Sequence, residues 1–91
     1  MAYLKCNYGE GMFSDERFIT FGIPYDGLFG GMFVNREDVV PYKEDGWNGL
    51  VKVVILEMDE NKALVSVNDV GDKRLSMLLV PKGHILHLDK I

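Results

Sequence analysis

The chain has a single cysteine, Cys6, among its 91 residues, so no internal disulfide braces the fold and packing alone must hold it. One unpaired thiol suits a reducing compartment. Long apolar runs are also missing. The stretch Val51–Leu56 is interrupted by Lys52, and nothing approaches the roughly 20 residues of a membrane-spanning helix. The N-terminal residues MAYLKCNYGEG lack the continuous apolar segment of a secretory leader. These absences set the expectation of a cytoplasmic protein with no membrane partner. Positive charge is scarce as well: ten Lys and Arg stand against 14 Asp and Glu, for a net charge of −4. The basic residues are scattered, and Lys73-Arg74 is the only adjacent pair. Such a chain has no general field for a polyanion, and nucleic-acid binding is disfavoured.

At this length one domain, spanning residues 1–91, and one core are expected. Folding would bury roughly 60–65% of the surface exposed by the unfolded chain. A deep private cleft is hard to build at that size, which weighs against an enzyme.

Short β-rich runs separated by frequent turn residues dominate the chain. Residues 17–23, RFITFGI, end at Pro24, and Tyr25-Asp26-Gly27 supplies a turn. Leu28–Val34 returns, with Gly30-Gly31 marking a bulge or a close backbone approach. Asn35 is placed to cap a short helical turn, with Glu37 and Asp38 favourable at its start. Residues 42–48, YKEDGWN, form the most polar, loop-like stretch. Residues 50–58, LVKVVILEM, form the strongest strand, followed by strands over 63–67 and 75–80 and a short one over 85–88. The expected fold is therefore all-β: a small five- or six-stranded, partly open barrel of the SH3-like or OB-like kind, with room for one short helical turn. Shifting the chain by 46 places lays Phe18–Phe21 on Leu64–Val67, Met32–Val34 on Leu78–Val80, and Val39-Val40 on Ile85-Leu86. The apolar register matches with almost no identity, the pattern of a duplicated hairpin-plus-turn unit.

No set of residues assembles a chemistry. His84 and His87 point to opposite faces of an extended chain, and a metal site would need a third ligand from elsewhere, Cys6 being the soft candidate beside Asp89. Cys6 as a nucleophile would need a base and a depressed pKa. Glu57 at the end of a strand reads as solvated beside Asp59 and Glu60. The glycine-rich pieces do not stand between a strand and a helix, so no phosphate loop is present. No catalytic residue, metal ligand or cofactor is assigned.

Two features remain. Tyr25, Tyr42 and Trp47 lie on polar turns, where large flat side chains anchor contacts at low entropic cost. They are the candidate residues for a peptide- or nucleic-acid-binding barrel. The second feature is an apolar surplus, since hydrophobic residues make up 47% of a very short chain. Leu50–Met58 and Leu75–Val80 carry apolar side chains on both faces, and a single barrel interior takes only one. The expected outward set is Leu50, Val54 and Leu56 with Leu78 and Val80, covered by another protein or a second copy. The leading expectation is a non-enzymatic interaction or structural module, self-associating or part of an assembly. The barrel with loop aromatics comes second, and an enzyme or ligand-binding protein with a site between subunits comes third.

Overall fold

A computed structural model describes residues 1–11, 14–21, 31–44, 46–69 and 74–87. Among these described residues eight strands form one antiparallel sheet that curls into a half-barrel: β1 (Ala2–Glu10), β2 (Glu16–Thr20), β3 (Gly31–Asn35), β4 (Val39–Glu44), β5 (Trp47–Met58), β6 (Lys62–Asp69), β7 (Arg74–Pro81) and β8 (Ile85–His87). Six of them follow the path β3-β2-β1-β5-β6-β7, while β4 joins the edge of β5 and β8 the edge of β1. The all-β, partly open barrel expected from the strand spacing is the fold found. Asn35 stands where a cap was expected, before a 3-10 turn over Arg36–Asp38, though its side chain makes no capping bond. The stretch 42–48 is not a free loop. Its described residues end β4 and begin β5, with Glu44 opposite Trp47 and Gly46 at φ 85° in the turn. A positive φ of this kind favours glycine.

The 46-residue shift is present in the structure as well as in the sequence. The 3-10 turns over Arg36–Asp38 and Lys82–His84 occupy the same place 46 residues apart, and the strand after each starts at Val39 and Ile85. The Arg36 amide donates to the Asp15 carbonyl at 2.8 Å, and 46 residues on the Lys82 amide donates to the Asn61 carbonyl at 3.0 Å. Strand pairing repeats too. Phe18 opposite Phe33 becomes Leu64 opposite Leu79. Tyr8 opposite Ile19 becomes Ile55 opposite Val65, and Val39 opposite Val51 becomes Ile85 opposite Leu4. The leading strands β1 and β5 correspond with a shift of one more residue, and a bulge at Leu56 locally resets the register of β5 on β6.

The two halves, β1–β4 and β5–β8, are thus related by an approximate two-fold through the pair Leu4 and Val51, where β1 meets β5. They interlock, because the last strand of each half pairs with the first strand of the other. The core lies inside this arrangement. Leu4, Cys6, Val51 and Val53 form its floor, Ile19, Phe21, Met32 and Val34 line one wing, and Ala63, Val65, Val67, Leu78 and Val80 line the other. Where β1 and β5 part, side chains continue the ladder. The Tyr8 amide donates to Asn48 Oδ1 at 2.8 Å, and the Asn48 amide donates to Asn7 Oδ1 at 3.1 Å.

Candidate functional site

Strand alternation decides which apolar residues the core can take. On β6, Ala63, Val65 and Val67 point inward. Their partners on β7 share that face, so Val80 opposite Ala63 and Leu78 opposite Val65 are core residues, only 0% and 5% exposed. The outward set on β7 is therefore Met77 and Leu79, not Leu78 and Val80 as expected. The sequence gives the two alternating sets but not which one faces the core; that is fixed by the register with β6. Leu50 is also corrected. It lies on the outer face of β5 but is 3% exposed, flanked in register by Lys5 on β1 and Val40 on β4. Val54 and Leu56 are exposed.

The outer face of β5, β6 and β7 consequently carries one apolar area. Val54, Ser66 and Met77 form a cross-strand row, Leu64 and Leu79 the next, and the bulged Leu56 lies beside them. Val54 is 60% exposed and Met77 65%. Ser66 is buried between them, and every buried side-chain polar atom among the described residues has a hydrogen-bond partner. Shallow grooves flank the area. One of about 260 Å³ is lined by Asp38, Lys52, Val54 and Asn68, and one of about 180 Å³ by Glu57, Asp59, Lys62 and Leu79. Partial burial raises the Asp38 carboxyl pKa, a rise opposed by the nearby Lys52 and assisted by Glu37. Asp59 is held below the usual carboxylate range because its Oδ1 accepts the amides of Lys62 and Asn61, both at 2.7 Å.

The corresponding face of the first half is an internal control. Its equivalents of Val54, Ser66 and Met77 are Asn7, Thr20 and Gly31, Phe18 and Phe33 stand for Leu64 and Leu79, Gly9 stands for Glu57, and the bulged Leu56 has no counterpart. Those two rings pack on each other, with centroids 5.0 Å apart, and Phe18 lies across Gly31. The row of Val54, Ser66 and Met77 is thus built in the first half with the polar or small Asn7, Thr20 and Gly31, while the next row is apolar in both halves but filled by stacked rings in the first. The fold itself does not require the apolar set.

Of the loop aromatics, Tyr25 lies outside the described residues. Tyr42 and Trp47 both lie on the β4–β5 hairpin, and both are half-buried. The Tyr42 hydroxyl donates to Glu44 at 3.2 Å, and the Lys5 ammonium lies 5.8 Å from its ring centre. Trp47 meets His84 nearly edge-on at 6.0 Å. These rings pack within the chain. Cys6 is buried in the core, and burial pushes its thiol up to about 12, so the nucleophilic thiolate hardly forms at neutral pH. Among the described residues no three His, Cys, Asp or Glu side chains gather as a metal site would need, and no helix is long and apolar enough to cross a membrane. The chain matches no protein-family model, no curated protein and no solved structure.

Proposed function

We propose that this protein is a non-enzymatic, cytoplasmic interaction module that self-associates through the outer face of β5–β7. The observation that carries this is the contrast between the halves: Val54 and Met77 are exposed where the equivalent positions carry Asn7 and Gly31, and the exposed Leu56 is a bulge residue with no counterpart on β1. Exposed apolar side chains cost solubility and are kept where a partner covers them. The occupant is a second copy. Only one of the two related wings carries the area, and one self-complementary face joined to its mate closes as a dimer and leaves nothing to extend. Loop aromatics contribute less, because Tyr42 and Trp47 already pack against Lys5 and His84.

The double substitution Val54→Lys with Met77→Lys tests this. Both side chains point outward, so circular dichroism and unfolding midpoint should stay close to wild type. The dimer dissociation constant should rise about a hundredfold or more, since two charges would enter a desolvated contact. A double variant that dimerises as tightly as wild type means that this face is not the joint.

A further inference from the structure

Independently of the outer face of β5–β7, we propose that the chain exchanges halves with a second copy, opening at the turn between β4 and β5 and closing as a two-fold dimer of two complete half-barrels. One covalent link joins the halves, and it runs through that turn, where Glu44 lies opposite Trp47 and Gly46 takes a φ of 85°. The other ties between them are strand pairings: β1 with β5 and β8, and β4 with β5. When the turn straightens, β4 runs on into β5, and each half meets the complementary half of the other chain through these same pairings. The closed and exchanged forms then share cores and ladders. They differ by two turns and one association, so concentration sets the balance between them.

The likeness of the halves creates a competitor, in which like halves join. Along the central pair of strands Ala2 and Gly49, Tyr3 and Leu50, and Lys5 and Lys52 hold equivalent places, so each half shows its mate nearly the surface it meets. Two contacts separate the arrangements. Asn48 Oδ1 accepts the Tyr8 amide at 2.8 Å, and the Asn48 amide donates to Asn7 Oδ1 at 3.1 Å. The equivalent of Asn48 in the first half is Met1, which has no amide side chain. The Tyr8 ring also lies across Gly49 and leaves no room for a Cβ, whereas the equivalent of Gly49 is Ala2. Two first halves would lose the bond to Asn48 Oδ1 and press Ala2 into Tyr8. Two second halves would set Val54 where Asn7 accepts. Unlike halves are therefore selected, and the exchanged dimer closes.

The experiment refolds the full chain from denaturant at about 1 mM, dilutes it in the cold to about 1 μM and reads dimer against monomer by size exclusion. All chains carry Val54→Lys with Met77→Lys, so loss of a dimer on introducing that pair bears on the outer face and not on the exchange. The background chain should leave a minor dimer that survives dilution, because undoing it requires the halves to part. Gly46→Pro should raise the dimer-to-monomer ratio about a hundredfold, since proline cannot take the positive φ and each dimer releases two such turns. Four glycines inserted after that proline should return the ratio to within about threefold of the background, because the turn can then form beyond it. A folded Gly46→Pro chain that stays monomeric overturns the exchange, as does a dimer that the glycines leave unchanged. Should Gly46→Pro fail to fold, the background chain decides, and the absence of any dilution-resistant dimer overturns the proposal.

Discussion

Leu4→Ala is expected to lower the unfolding free energy by about 3–5 kcal/mol, the upper part of the range for a buried leucine truncation. Leu4 is fully buried and sits at the approximate two-fold, opposite Val51 on one side and Ile85 on the other. Elements of both halves pack around it. The site has little freedom to collapse, because β1 is held on both edges by strands of the second half at this point. A domain of this size has roughly 5–10 kcal/mol of stability in total. The loss should therefore lower the melting temperature by about 15 °C or more. Val51→Ala should cost about 2 kcal/mol, and the double variant should cost less than the sum because the two side chains share one cavity. Denaturant titration measures all three. A loss below about 1 kcal/mol for Leu4→Ala would mean that the junction of the halves is not the packed centre described.

Gly31→Ala is the second large effect, expected at about 3 kcal/mol or more. A Cβ at Gly31 would collide with the Ile19 carbonyl oxygen and lie 2.6 Å from Phe18 Cζ. The ring could rotate away, but the carbonyl belongs to β2 and moves only with the strand. Adding Phe18→Ala should therefore fail to rescue the variant, which separates a backbone collision from a side-chain one. Met77, the equivalent residue of the second half, should accept Ala with a change below about 1 kcal/mol because its side chain is mostly exposed. Similar costs at the two positions would contradict the asymmetry between the wings.

Much of the fold was legible because turns are marked by residue chemistry. The Asp59 side chain closes the β5–β6 hairpin by accepting the backbone amides of Asn61 and Lys62. The shift of 46 is legible as apolar register, since a duplicated unit preserves the pattern of burial even when Ile19 becomes Val65 and Met32 becomes Leu78. Other elements were hidden. β1 begins at Ala2 and mixes Lys5, Asn7 and Glu10 with apolar residues, so it lacks a β-rich run. Trp47 and Asn48 were read with the polar stretch before them, although they open the longest strand. The exposed apolar face is half legible: Val54 and Leu56 are outward as the sequence suggests, while on β7 it is Met77 and Leu79, not Leu78 and Val80, that face out. Alternation gives two sets of residues, but only the pairing of Leu78 with Val65 says which set meets the core.

The docking surface rests on one physical contrast, an apolar outer face on one wing and a polar or self-filled one on its twin. Its most direct test is the mass of the wild-type protein by light scattering after size exclusion, over concentrations from about 1 to 100 μM, a span suited to interfaces of modest size. Self-association through the β5–β7 face predicts a species of twice the 10.3 kDa of one chain, dissociating on dilution. A soluble 10.3 kDa monomer at every concentration would contradict it, and the exposed Val54 and Met77 would then belong to a different partner or to none.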